Sequence, residues 1–254
     1  MKLRKKDPIW RMQNGILERL ARRTGRILYK PHLLWILDPS WREPYERDLQ
    51  GDARRRKGVT RILDRRFTLV QLCRSVLPLR GSTAECGVNS AVGSALICRT
   101  LAPSYREGEL HLGFDSFEGL PPPGERDRSR VLGHWWSKGE LAVTKQDAEK
   151  RVAEFPFCEL VSGWIPQVLK RAEGLPFRFV HVDVDLYEST LGSLEFFYPL
   201  LVPGGVLLLD DHGLASCPGA RAAAEEFFAR QSDPLIELAT GQAFAIKGSR
   251  PATA

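Results

Sequence analysis

From Thr83 onward the chain alternates between two rhythms. Short strand-like runs occur at Thr83–Val88, Leu110–Phe114, Cys158–Val161, Phe179–Val184 and Val206–Leu209. Between or after them lie stretches with helical spacing, at Ala91–Leu101, from about Ile165, at Thr190–Leu201 and at Ala220–Arg230, and a helix at Thr68–Leu77 precedes the first run. Near-continuous apolar strands alternating with helices predict a parallel sheet covered on both faces. The last two runs, Leu235–Ala239 and Ala243–Lys247, are joined by Thr240-Gly241 and predict a terminal antiparallel hairpin. The expected fold is α/β and Rossmann-like, with a mostly parallel seven-stranded sheet.

Two segments break this regularity. Residues 116–150 are a polar insert containing Pro121-Pro122-Pro123 and Trp135-Trp136, too long for an ordinary connection and predicted to be a lid. His134 with its two tryptophans is a candidate to stack on a sugar or aglycone face, and packing of the lid onto the body is the alternative. The first 65 residues, with Trp10, Trp35 and Trp41, predict a helical cap distinct from a body at 66–254. Ile9, Met12, Ile16 and Leu20 share a helical face that fits packing on the body or a partner.

Charge sharpens that division. Residues 1–70 hold 19 Lys and Arg against 8 Asp and Glu, while the remainder holds 18 against 23. The basic character therefore belongs to an arm, read as solvated or as weakly attracted to an anionic membrane surface. No apolar run reaches the length of a signal-peptide core or a spanning helix. Five scattered cysteines without C-x-x-C spacing predict a reducing, cytoplasmic setting.

The chemistry gathers at strand ends. Val-Asp-Val-Asp ends one run at Asp183 and Asp185, and Leu-Leu-Leu-Asp-Asp-His ends another at Asp210, Asp211 and His212. Carboxylates crowded at the edge of a core need a cation or protons, and an oxygen-only set suits Mg²⁺, Mn²⁺ or Ca²⁺ rather than Zn²⁺. Capping of the following turn is the alternative reading. His181 lies within a strand and is expected to be a hydrogen-bonded core histidine. The first strand ends Glu85-Cys-Gly87-Val, and Gly93 follows at the helix entry. Asn89 stands where a dinucleotide fingerprint has its second glycine, so no pyrophosphate cradle is expected. Asp115, ending the second strand, suits the two hydroxyls of a ribose. Glu85, Gly87 and Asp115 together point to a nucleoside without a pyrophosphate, a description that S-adenosylmethionine fits.

Glu-Cys-Gly-Val at 85–88, Phe-Asp-Ser-Phe-Glu-Gly-Leu-Pro at 114–121 and Val-Asp-Val-Asp-Leu-Tyr-Glu-Ser-Thr at 182–190 resemble the macrocin O-methyltransferase (TylF-type) family. Pro-Gly-Gly-Val-Leu-Leu-Leu-Asp-Asp-His-Gly at 203–213 and Pro-Gly-Ala-Arg at 218–221 extend the likeness. The resemblance implies a class I, S-adenosylmethionine- and Mg²⁺-dependent enzyme that methylates a hydroxyl of a sugar or related secondary metabolite. It implies metal ligation by Asp183, Asp210 and Asp211, with Asp185 as general base; His212, directly after the aspartate pair, is the alternative base on its position alone. It implies cofactor binding by Glu85, Gly87, Asn89, Asp115, Ser116 and Phe117, with Gly163 and Trp164 at the adenine edge. It also implies a homo-oligomer. One departure is Ala91-Val92, where the family commonly carries Gly-Gly. A phenol or catechol methyltransferase and a non-catalytic scaffold are the rival functions, and nucleic acid is not an expected partner.

Overall fold

The computed structural model describes residues 61–248 except Val131 and His134. The amphipathic face at 9–20, the tryptophans of the arm and the stacking role of His134 lie outside the described residues. Within them, strand β1 (Ser82–Cys86), β2 (His111–Asp115), β3 (Cys158–Ser162), β4 (Phe177–Val182), β5 (Leu201–Leu209), β6 (Ile236–Glu237) and β7 (Ala243–Ile246) form one sheet of order β3-β2-β1-β4-β5-β7-β6. The first five strands are parallel, and β7 runs antiparallel to both β5 and β6. The expected seven-stranded Rossmann-like sheet with a terminal hairpin is the observed one.

Every residue of β1 and β4 is buried, as strands covered on both faces must be. One face carries Phe114, Phe177 and Phe197, with the Phe177 and Phe197 rings edge-to-face at 5.0 Å. Helix α1 (Arg61–Ser75) starts seven residues before the expected Thr68 and runs through the predicted boundary at 65/66. Its buried residues Leu69, Val70 and Cys73 follow helical spacing, and Val76 is buried just beyond its end. The remaining helices are α2 (Val92–Leu101), α3 (Lys145–Val152), α4 (Tyr187–Phe197) and α5 (Pro218–Phe228). The helix expected near Ile165 is instead a 3₁₀ segment, Gln167–Ala172, held between Pro166 and Gly174. β5 begins at Leu201 rather than Val206, and the extra residues form an irregularity against β4 in which Gly204 takes a left-handed φ of 80°. A Cβ on Gly205 would lie 2.8 Å from the Val202 carbonyl oxygen, so only glycine fits that approach.

The insert at 116–150 is tied to the body and is not wholly loop. Its last residues already belong to α3, which Thr144 caps by accepting from the Asp147 amide at 3.3 Å. Asp127 is 5% exposed and accepts from the Gly124 amide at 2.8 Å and the Tyr187 amide at 2.7 Å. It thus joins the insert to the first turn of α4. Arg126 adds an ion pair to Glu226 at 2.7 Å and lies over the Tyr187 ring. Gly219, in the first turn of α5, leaves the room for this joint, since a Cβ there would stand 1.9 Å from Asp127 Oδ1. Gly219→Ala is therefore expected to lower stability by about 1–3 kcal/mol through overpacking. It should also speed tryptic cleavage within 120–140, and unchanged melting and proteolysis would show that the insert does not depend on Asp127.

Candidate active site

The strand order reverses between β1 and β4, since β2 continues from one side of β1 and β5 from the far side of β4. Parallel sheets bind ligands beyond the carboxyl ends of their strands at such a point. All four aspartates and Glu85 lie there, brought together from β1, β4, β5 and the turns after them.

The acidic centre is built around a guanidinium. Arg65, projecting from α1, donates from Nη2 to the Asp210 carbonyl oxygen at 2.9 Å, to Asp210 Oδ2 in a very short contact, and to Asp211 Oδ1 at 3.1 Å. The same nitrogen is 3.9 Å from Asp183 Oδ1. Asp210 Oδ1 accepts from Gln242 Nε2 at 2.6 Å. The Asp185 amide donates to Asp211 Oδ2 at 3.1 Å, and Cys217 Sγ contacts Asp185 Oδ1 at 3.3 Å. Three carboxylates therefore converge on one cationic atom.

Electrostatics divides these groups. Burial disfavours charge on Asp210, but Arg65 and His181 more than offset it and hold its carboxyl well below the usual range. Asp211 is pushed well up by burial and by repulsion from Asp185 and Asp183. Burial and Asp210 likewise raise Asp183. His181 is fully buried, bonded through Nδ1 to Glu85 Oε1 at 2.9 Å, with Nε2 at a long 3.4 Å from Asp210 Oδ1. Burial lowers its pKa, yet Asp210 and Glu85 prevail and push it up to about 10. The core histidine expected from the sequence is thus also an imidazolium bridge under the site.

Beside the acidic centre opens a cleft enclosing about 840 Å³ of empty space, part of it continuous with solvent. Gly87, Asn89, Asp115, Ser116, Gly163, Trp164, Asp183 and Asp185 line it, so the candidate cofactor and acidic residues share one wall. Asp115 Oδ2 accepts from the Asn89 amide at 2.7 Å and Oδ1 from the Phe117 amide at 2.7 Å, which fixes the carboxylate at the cleft edge. Asn89, Leu141 and Asp185 line the cleft with positive φ of 47°, 67° and 59°. Left-handed backbone outside glycine is strained, and such strain gathers at ligand sites.

Several expected residues take different places. Glu85 is 1% exposed and lies beneath the cleft, its oxygens taken by His181 and by Ser94 Oγ at 2.5 Å. It is not on the cleft wall, because α2 packs over it: a Cβ on Gly93 would come 1.8 Å from Glu85 Oε1. Phe117 acts through its amide and packs on a separate cluster with Val88, Ala91 and Phe155. His212 also leaves the cleft, its Nε2 3.1 Å from Glu237 Oε1, because the chain turns outward after Asp211. Gly87 (φ 84°) is needed chiefly because a Cβ would strike the Asp183 carbonyl oxygen at 1.8 Å. Ala91, where the sequence departs from the Gly-Gly common in the family it resembles, holds a left-handed φ of 59°.

Arg65, Arg66, Gln242 and Cys217 were not expected here. The surplus of positive charge before residue 70 facing acidic strand ends was the available signal for the arginines. Cys98, His111 and Cys158 also meet, their ligand atoms within 4.8 Å of one another at the opposite end of the sheet.

The profile of the macrocin-O-methyltransferase (TylF) family matches residues 38–241. The chain is 27% identical over 201 residues to 8-demethyl-8-(2,3-dimethoxy-alpha-L-rhamnosyl)-tetracenomycin-C 4'-O-methyltransferase of Streptomyces olivaceus, covering 76% of this chain and 75% of that one. It is 26% identical over 216 residues to demethyldecarbamoylnovobiocin O-methyltransferase of Streptomyces niveus, with 79% of each covered. Among solved structures, the O-methyltransferase NovP superposes with a TM-score of 0.62 at 23% identity, over 73% of this chain and 80% of that one. The calicheamicin methyltransferase CalS11 gives 0.61 at 21%, over 84% and 94%. These superpositions show the class I methyltransferase fold. Among the described residues no helix is long and apolar enough to cross a membrane. With four-fifths of its length matched in order, the chain belongs to the macrocin O-methyltransferase (TylF) family of S-adenosylmethionine-dependent O-methyltransferases.

Proposed function

We propose that this protein is a divalent-metal-dependent O-methyltransferase acting on a sugar hydroxyl of a glycosylated secondary metabolite. The observation that carries this reading is the convergence of Asp183, Asp210 and Asp211 on one point beside a nucleoside-sized cleft, with Asp185 on the shared wall. The rhamnosyl substrate in the name of the Streptomyces olivaceus relative supports the sugar acceptor.

The donor set fits an oxygen-preferring cation, because three carboxylates already meet at a position that Arg65 Nη2 holds. Asp183, Asp210 and Asp211 would hold Mg²⁺ once Arg65 withdrew. Bound there, the metal would lower the pKa of an acceptor hydroxyl, and S-adenosylmethionine in the cleft would supply the electrophilic methyl group. Gln242 and His181 keep Asp210 oriented and anionic. The backbone of Asp185 is pinned to Asp211, and its carboxylate, on the cleft wall, would accept the hydroxyl proton while the acceptor oxygen took the methyl and S-adenosylhomocysteine left. His212, bonded to Glu237 away from the cleft, is not assigned that role. Half-buried Trp136 donates its indole N–H to Cys217 Sγ at 3.4 Å, and Cys217 in turn contacts Asp185, so the insert reaches the edge of the acidic centre.

Three outcomes test this. Mg²⁺ at a hundredfold excess over its Kd should stabilise the protein by about 2.7 kcal/mol, a melting shift of several degrees that EDTA reverses. Arg65→Gln should tighten Mn²⁺ binding, read by electron paramagnetic resonance, because the competing cation is gone. Looser or unchanged binding would mean that Arg65 is itself the permanent counter-ion. Asp183→Asn should cut turnover on a glycoside panel at least about a hundredfold while S-adenosylhomocysteine still binds. Methylation of phenols in preference to glycosides would decide for the rival acceptor.

A further inference from the structure

Among the described residues, three clusters of His, Cys, Asp and Glu could hold a metal ion, and two of them belong to the acidic centre. The third is Cys98, His111 and Cys158, at the other end of the sheet. Cys98 lies in α2, while His111 and Cys158 are the first residues of β2 and β3 and stand opposite each other in register. Cys98 and His111 are fully buried, and Cys158 is half-buried on an edge strand. One ligand atom from each lies within 4.8 Å of the others. The three residues come from separate segments, and they meet because β2 pairs with β3 and α2 packs across them.

His111 shows what the cluster lacks. Its Nδ1 is 2.8 Å from Thr83 Oγ1, which also contacts the Tyr105 hydroxyl. Nε2 is buried and has no hydrogen-bond partner. An orphaned buried N–H is rarer in folded proteins than an unsatisfied acceptor, which assigns the proton to Nδ1, donated to Thr83, and leaves Nε2 with a free lone pair. Burial drives the His111 pKa down to about 4, so the ring is neutral at physiological pH. The two thiols hydrogen-bond to each other, which leaves Nε2 unserved. A disulfide between them would leave it unserved as well. A thiophilic cation engages both sulfurs and the nitrogen at once. With Zn–S about 2.3 Å and Zn–N about 2.0 Å, a tetrahedral ion holds its ligand atoms about 3.5–3.8 Å apart, a closure within reach of side-chain rotation. Two thiolates and an imidazole favour Zn²⁺ over Mg²⁺, and the bond from Nδ1 to Thr83 is the kind of outer contact that orients a histidine ligand.

We propose that Cys98 Sγ, His111 Nε2 and Cys158 Sγ form a three-ligand site for Zn²⁺, with the fourth position open to solvent on the Cys158 side. Binding displaces one proton from each thiol, and Nε2 has none to lose. In this arrangement the ion pins α2 to the first residues of β2 and β3. The other ends of two of these elements shape the cleft, since α2 enters over Glu85 at Gly93 and β2 ends at Asp115. The site stands apart from the cofactor and acceptor readings, and its failure would leave both untouched.

The reduced full chain is titrated with Co²⁺, whose thiolate charge-transfer absorption reports sulfur ligation, and Zn²⁺ is then added in competition. The wild type should develop the thiolate signal, and Zn²⁺ should displace it. Cys158→Ser and His111→Gln should each weaken Co²⁺ binding at least about a hundredfold. Cys217→Ser, which removes the thiol beside Asp185, should leave the signal intact. X-ray absorption of the zinc-loaded wild type needs no variant to fold, and it should show two sulfurs at about 2.3 Å. No thiolate signal, zinc surrounded by oxygen or by a single sulfur, or a signal lost with Cys217→Ser would overturn the inference. So would binding unchanged in Cys158→Ser. A Cys98–Cys158 disulfide formed in air, with no Co²⁺ bound once it is reduced, would assign the pair to redox chemistry instead.

Discussion

The structure depends on how a cluster of carboxylates is kept at the edge of a hydrophobic core. Asp183 follows β4, which is buried throughout, and Asp210 and Asp211 follow the buried last five residues of β5, so they cannot retreat into solvent without pulling the strands apart. Asp210 and Asp211 are 3% and 4% exposed. Unpaired, that much buried negative charge would oppose folding strongly. Two arginines of α1 and the imidazolium of His181 supply the compensation. The helix before the first strand is therefore part of the site, because it carries the cations that let the strand ends exist in this form.

That arrangement also suits catalysis. A guanidinium satisfies the carboxylates from a single nitrogen, and a divalent ion would bind the same oxygens with a defined coordination geometry. Their exchange would couple metal entry to the position of α1, while Arg66, on the same helix, faces the cofactor cleft. One helix thus touches both halves of the site. The insert does likewise from above, with Asp127 joined to α4 and Trp136 resting on Cys217 beside Asp185. The strand ends supply the carboxylates, and a helix and an insert are laid over them.

The cleft between these parts owes its shape to backbone as much as to side chains. Gly87 passes the Asp183 carbonyl at a distance no Cβ would allow, which sets β1 and the turn after β4 side by side. Asn89, Ala91 and Asp185 hold left-handed φ without being glycine. Each is strained by its own conformation and held there by neighbours, Asp185 by Asp211 and Asn89 by Asp115. Such positions exist because the surrounding packing over-determines them.

Local pattern determined much of this protein. The period of its apolar residues specified a parallel sheet with a terminal hairpin, and the abrupt ends of those runs at Asp115, Asp183 and Asp210 marked the edge of the cleft and the acidic centre beside it. Those features are legible because strand burial and the cost of desolvating charge act on residues a few positions apart. Tertiary structure alone decided the rest. Glu85 sits beneath the cleft because α2, entering at Gly93, packs over it, and His212 is turned toward Glu237 by a chain reversal that no local signal encodes. Arg65 meets Asp210 across 145 residues, and Gln242 meets it across 32. In the sequence those arginines were indistinguishable from a solvated basic arm. Their role exists only because folding places one particular helix over one particular pair of strand ends, where water is excluded and a buried charge must find its partner.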